Sequence, residues 1–549
     1  MSKKVFIIGL DGADFQLMNE FRKDLPNINK IINNGMFSIL RSSIPNASTV
    51  AWASFLTGKN PGKHGIVDFV TRDSPTDLGT PVNSISLEGP SMWKILSQKE
   101  KKCIVFGVPL TYPPEGVNGI LIGGFPLPHD ADDYIYPREL VKEFISKGWN
   151  FADLPTASYS RDKLPEFLKE LHKRIEEKTQ ACLHLLEKHD WDLFVVHYFE
   201  TDKVQHEFLN YKYRGIVDEN SFKKYKDVVK NFYISMDRVI GRLLEKIDLK
   251  ETNVFIVSDH GFSPNENLIF LDAWLLKKGY IKLKDNFFTK MKYFLFKLGL
   301  TPINIFRYLP VKLKSKMLEV EDEKYYSEKD SKKTNIIGKL LGLSDKIFLN
   351  KVSDVEWSKT RAYCYGSTGI ANIFLNLEMM NENSEINPKS MGKEIEEINV
   401  FDEIYIKKEI YSGDHCKQLP DIAAFQSSFK GLTYNHPTIF LSNKIVIKNY
   451  LAPDRATHNM NGIFIVAGPD IEKTKERINA DIIDIFPTVL NLFGVPIPTD
   501  VDGKVLSKII KTKSKVTYAE YKEDKRKDYK ASEKDKKDML ERLKRMGYL

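Results

Sequence analysis

The chain has 549 residues, enough for one large core or for two or three domains. Its 42% apolar and 11% aromatic content excludes a disordered protein, and a net charge of +8 is too mild to call for a nucleic-acid partner. The four cysteines, Cys103, Cys182, Cys364 and Cys416, form no CxxC pair, which argues against a disulfide framework and for reduced thiols in the cytoplasm.

The N-terminal "MSKKVFIIGLDGAD" reads as a buried first strand that ends on Asp11. Its apolar run, about six residues, is too short for a signal peptide or a membrane span. Next, "PNASTVAWASFLTGKNPGKHG" reads as a helix that opens at Ser48 and Thr49 and closes in a Gly/Pro loop. A hydroxyl at a helix N-terminus faces free N–H groups and the positive dipole end, a place that suits a phosphate as well as a simple cap.

The apolar runs "CIVFGVP", "DLFVVHYFE", "NVFIVSDHGF" and "GIFIVAGPD" predict further strands. Between them "PEFLKELHKRIEEKTQACLHLLEKH" and "YKDVVKNFYISMDRVIGRLLEKI" carry helical periodicity. This alternation predicts an α/β fold: a mostly parallel central sheet with helices on both faces. Ligands of such sheets bind beyond the carboxyl ends of the strands, where Asp11 and the Asp259-His260 pair are placed. Gly261 after that pair is expected to permit the turn.

The alternation breaks at 280–355. There "NFFTKMKYFLFKLGLTPINIFRYLPVKLKSKML" holds seven basic residues and no acidic one. It predicts an inserted helical cap, with contact to a membrane surface or an anionic substrate as the sharper alternative. The resulting domain reading is a core over 1–279, the cap over 280–355, the core again over 356–512 and a charged, solvated tail over 513–549. In that tail "DMLERLKRMGYL" has the helical spacing needed to dock.

Three aspartates and three histidines stand near strand ends: Asp11, Asp202, His206, Asp259, His260 and His458. Asp202 and His206 share one face if "FETDKVQHEF" is helical. Singly, each suits a cap, a turn or a surface pair. Together, nitrogen and carboxylate ligands suit Zn²⁺, with Mn²⁺ or Fe as alternatives, and six ligands can build two three-ligand sites that each keep an open position. Two metals about 4 Å apart can clamp the attacking and leaving oxygens of a phosphoryl displacement.

The ordered motifs "GLDGAD", "PNASTVAWASFLTGKNPGKHGI", "ETDKVQH", "SDHGF" and "THNMNGIFIVAGPDI" resemble the alkaline phosphatase superfamily, and most of all its type I phosphodiesterase and nucleotide pyrophosphatase branch. The resemblance implies a metal-dependent hydrolase that cleaves a phosphodiester or pyrophosphate bond through a covalent phosphoseryl intermediate. It implies one divalent ion, Zn²⁺ or Mn²⁺, on Asp11, Asp259 and His260, and a second on Asp202, His206 and His458. Ser48 takes the nucleophile's place, with Thr49 as runner-up. Where diesterases usually carry Pro, the chain has Val50, and Ala51 offers no amide to hold a phosphate oxygen. Asn46, Lys59 and the cap residue Lys290 are the candidates for that contact. The alternatives are a phosphomonoesterase or phosphomutase of the same superfamily, and a non-catalytic protein of the membrane surface. The sequence argues against a sulfatase, because "STVAW" lacks the x-Pro-x-Arg that follows a sulfatase nucleophile. The expected partner is a phosphoester, nucleotide or lipid-linked, with no transmembrane segment and with peripheral membrane contact left open.

Overall fold

The computed structural model describes residues 4–72, 79–152, 163–308, 347–365, 369–376, 386–426, 431–434, 439–449, 455–511, 515–521 and 532–545. Its centre is a nine-stranded sheet. In chain order the strands are β1 (Lys4–Leu10), β2 (Gly35–Arg41), β3 (Cys103–Phe106), β4 (Gly119–Ile122), β5 (Ile135–Tyr136), β6 (Leu193–Tyr198), β7 (Thr252–Val257), β8 (Asn461–Ala467) and β9 (Ala480–Asp481). Across the sheet the order is β9-β2-β8-β7-β1-β6-β3-β4-β5. Strands β1, β3, β6 and β7 are buried almost throughout, as runs covered on both faces must be.

The sheet is parallel from β7 across to β4. The run "GIFIVAGPD" is indeed a strand, but β8 lies antiparallel to both of its neighbours, β2 and β7. This reversal places residues just before β8 at the same edge as residues just after β1, β2, β6 and β7. Single-strand periodicity carries no direction, so the sequence could not show it.

Four helices position or cover the edge of the sheet where the acid and histidine motifs lie. Helix α1 (Ser48–Thr57) is buried along its whole length, follows β2 and ends at Gly58, whose φ of 68° closes it. Helix α2 (Leu164–Lys188) buries Phe167, Leu171, Ile175, Cys182 and Leu185, the stripe its period of three and four predicts. Helix α3 (Glu200–Phe208) follows β6, and α4 (Val228–Leu244) covers it.

Apart from this core stands a second apolar cluster, built on residues from Ile269 to Phe440 and so drawing on both sides of position 355. It includes a four-stranded antiparallel sheet of Ala362–Tyr365, Ile370–Leu375, Ile422–Phe425 and Glu403–Ile406. Against this cluster lies helix α5 (Phe287–Lys297), whose Phe296 reaches Phe440 with ring centroids 6.0 Å apart, while α6 (Pro302–Tyr308) buries Ile303 in a smaller cluster with Leu268, Phe270 and Ala273. The remaining cap stretch, 309–346, is outside the described residues. At the other end of the chain the helix Glu533–Arg545 docks, as the spacing of "DMLERLKRMGYL" allowed, so the solvated-tail expectation does not hold for it. Met539 and Leu543 are buried, and Arg542 donates to the carbonyls of Leu127 and Ala152 at 2.7 and 2.9 Å. Among the described residues no helix is long and apolar enough to cross a membrane.

Candidate metal centre and nucleophile

All six candidate ligands meet at the carboxyl edge of the parallel strands. Asp11 follows β1, and Gly12 turns the chain there with a φ of 67°. The Gly12 N–H donates to Asp259 Oδ1 at 3.0 Å, which ties the ends of β1 and β7 together. Asp202 lies in the first turn of α3, and His206 one turn later on the same face.

His458 arrives by a different route. Thr457–Asn459 forms a short ribbon with Gly261–Ser263, in which His458 pairs with Phe262. The His458 ring stacks on His260 at 3.6 Å between centroids. Gly261 serves this ribbon by its lack of a side chain rather than by an unusual φ: an added Cβ would stand 2.4 Å from the Asn461 carbonyl and 2.6 Å from Asp14 Oδ2.

Each of the three histidines has Nδ1 against a backbone carbonyl: His206 with Ala456 O at 3.1 Å, His260 with Gly261 O at 3.1 Å, His458 with Asn46 O at 3.3 Å. A carbonyl can only accept, so Nδ1 carries the proton and Nε2 presents a lone pair. Those lone pairs converge on acceptors. His206 Nε2 lies 3.0 Å from His458 Nε2, and the two stand 3.3 and 3.4 Å from Asp202 Oδ1. His260 Nε2 stands 3.3 Å from Asp259 Oδ2 and 3.7 Å from Asp11 Oδ1. These last two oxygens are buried without a hydrogen-bond partner. Lone pairs facing one another in a buried site repel unless a cation lies among them. The separations also match the ~3.3 Å edges of a tetrahedron with metal–ligand bonds of ~2.0–2.1 Å.

The electrostatics agree. Burial, reinforced by Asp259 and Asp202, holds the Asp11 acid well above its ordinary value of 3.8. Burial would also raise Asp202, but His206 and Lys203 outweigh it and hold that carboxyl well below the usual range. Burial and the neighbouring His260 push His458 down, toward the neutral form that ligates.

Five of the six residues form two overlapping sets of three with donor atoms within 4.8 Å of one another: Asp11, Asp259 and His260, and Asp202, His260 and His458. His260 thus faces both sets. His206, expected in the second, stands beside it with its side chain 21% exposed, on the solvent side of the cluster.

Ser48 is the first residue of α1, and Ala47, which makes no side-chain cap, precedes it. The Ser48 hydroxyl is therefore not spent on capping. Its Oγ lies 3.2 Å from His260 Nε2. Thr49 Oγ1 is buried without a hydrogen-bond partner. Of the candidates for a phosphate contact, Asn46 is 1% exposed and neither its Oδ1 nor its Nδ2 has a partner. Lys59 is instead paired with Asp500 at 2.5 Å, and Lys290, on exposed α5, with Asp285.

Several residues around the site escaped the sequence reading. His197 Nε2 and Trp52 Nε1 both contact Asp11 Oδ2, at 2.8 and 3.2 Å, which turns Oδ1 toward His260. Lys203, 1% exposed, places Nζ 3.2 Å from Asp202 Oδ2. A histidine inside the otherwise apolar "LFVVHY" was a signal that could have been used. Lys203 gave none, since a lysine on an amphipathic helix normally faces water.

The geometry suits phosphoryl chemistry. Residues 5–345, more than half of the chain, match the model of the family described as type I phosphodiesterase / nucleotide pyrophosphatase. The chain belongs to this family and is a phosphoric ester hydrolase. Among solved structures it is similar to human ectonucleotide pyrophosphatase / phosphodiesterase 5, at 12% identity over 93% of this chain and 100% of that one, with a TM-score of 0.47. It is also similar to an inactive variant of the murine protein in complex with AMP, at 13% identity over 90% and 96% of the two chains, with a TM-score of 0.45. No curated protein matches the chain.

Proposed function

We propose that the protein cleaves a phosphodiester or pyrophosphate bond through a phosphoseryl intermediate on Ser48, at a centre for two divalent ions. The observation that carries this reading is Ser48 Oγ at 3.2 Å from His260 Nε2, a nitrogen that faces both ligand sets. Asp11, Asp259 and His260 would hold one ion; Asp202, His206 and His458 the other. Three imidazoles and three carboxylates suit Zn²⁺, with Mn²⁺ as the competitor. When bound, such ions lower the pKa of the attacking hydroxyl and neutralise charge on the leaving oxygen.

The chain's own groups do the rest. Ser48 Oγ attacks phosphorus in line, the ester oxygen leaves with the bonding pair, and water then cleaves the phosphoserine. The uncapped N–H groups at the start of α1 face the phosphoryl oxygens. The unpartnered Asn46 side-chain amide, two residues before Ser48 on a backbone whose Asn46 carbonyl meets His458 Nδ1, donates to one of those oxygens. The substrate is a nucleotide or lipid-linked phosphoester. The four free thiols support a cytoplasmic setting.

The test is to quench turnover of a phosphorus-labelled diester in acid. Label retained on wild-type protein and lost in Ser48→Ala, with metal content equal in both, is the expected result. Label lost instead in Thr49→Ala would move the nucleophile by one residue. Faster turnover of p-nitrophenyl phosphate than of its bis ester would make the protein a monoesterase.

A further inference from the structure

The cap sequence "NFFTKMKYFLFKLGL" finds no use in the chemistry above, and in the structure it is turned inside out. Phe287, Phe288, Met291, Phe294 and Leu298 are 75, 68, 42, 56 and 63% exposed. At 100° per residue they fall on one face of α5. The opposite face is buried and holds Thr289 and Lys292, which bond to Asp354 at 3.0 and 2.9 Å, together with Phe296. Helix α5 is thus fixed to the second cluster by its polar groups and offers water its apolar ones. On α6 the pattern continues with Tyr308, 81% exposed. Such a contiguous apolar surface marks an interaction site.

We propose that α5 and α6 form an interfacial anchor that lays this face on a lipid bilayer with anionic headgroups. Charge selects that occupant. Lys290, Lys297 and Arg307 are exposed beside the apolar face; Lys290 is paired with Asp285, and positions 286 to 308 hold no acidic residue. Aromatic side chains flanked by long basic ones suit the boundary between acyl chains and headgroups, where the rings enter and the cations remain at the phosphate level. A second copy of the chain fits less well. Two copies joined through the same face would bring like-charged side chains together, and Asp285 beside that face is already paired with Lys290.

The experiment is co-sedimentation of the full chain with phosphatidylcholine vesicles, with and without phosphatidylserine. Binding is expected to be at least ~tenfold tighter with phosphatidylserine. Phe288→Ser/Phe294→Ser should abolish it, and Lys297→Glu/Arg307→Glu should erase the preference for the anionic lipid. Both pairs are exposed, so both variants should melt at the wild-type temperature. Equal sedimentation of wild type and Phe288→Ser/Phe294→Ser would overturn the proposal. So would an absence of lipid binding, including the case in which wild type is a dimer by sedimentation velocity and the phenylalanine variant a monomer.

Discussion

The edge of the central sheet and the outer face of α5 break the same rule in opposite directions. At the sheet edge Asp11, Asp202, Asp259 and His260 are fully buried; on α5 three phenylalanines are more than half exposed. Buried polar groups and exposed apolar patches are the two deviations that carry information, because ordinary burial is dominated by the hydrophobic effect. The buried set is explained within the chain: its lone pairs converge as ligands do, and His197, Trp52 and Lys203 hold the carboxylates in place. The exposed set is left uncovered by the described residues, and the bilayer contact proposed above is the reading that would answer it. Polarity at the wrong depth therefore teaches different things, according to whether the surrounding side chains are arranged to answer it.

The sharpest way to test the buried half is Ser48→Ala, expected to cost on the order of 10⁴-fold in kcat while metal analysis stays unchanged. A loss of metal with the activity would make Ser48 a ligand support instead of a nucleophile.

Chelation comes next. Removing ions present at a hundred times their Kd should cost about 3 kcal/mol per site, read as a fall in Tm that added Zn²⁺ or Mn²⁺ reverses. The effect should grow with pH. Asp11 in the metal-free fold holds its proton above the ordinary 3.8, so the folded form binds more protons than the unfolded chain. Its metal-free stability therefore falls as pH rises from 3.8 through the raised value, whereas a bound cation removes that penalty. A metal-induced rise in Tm that shrinks with pH would contradict this.

Asn46→Ala should lower kcat/KM by ~10- to 100-fold, the worth of one hydrogen bond to a charged oxygen at ~1.5–3 kcal/mol, and leave metal content intact. Unchanged kinetics would remove Asn46 from the site. The smallest effect belongs to the other half of the comparison. Phe294→Ser should change stability by less than ~0.5 kcal/mol, whereas Trp52→Ala in the core should cost ~3–5 kcal/mol. A large loss from Phe294→Ser, measured by denaturant titration, would mean that α5 is not a free face.

The sequence by itself determined five of the nine central strands and the main helices of the core, because continuous apolar runs and stripes of period 3.6 reflect burial that each element must satisfy locally. It also set the order of the acid and histidine motifs at strand ends. What it could not contain was direction and depth. The antiparallel course of β8, which brings His458 onto His260, depends on which neighbours a strand finds. His206 standing beside the second ligand set while His260 faces both follows from the same packing. The docking of the C-terminal helix and the outward turn of the α5 phenylalanines were equally undecided by composition. An amphipathic stripe says that a helix has an apolar face, and only the tertiary structure decides whether that face meets the core or is left at the surface.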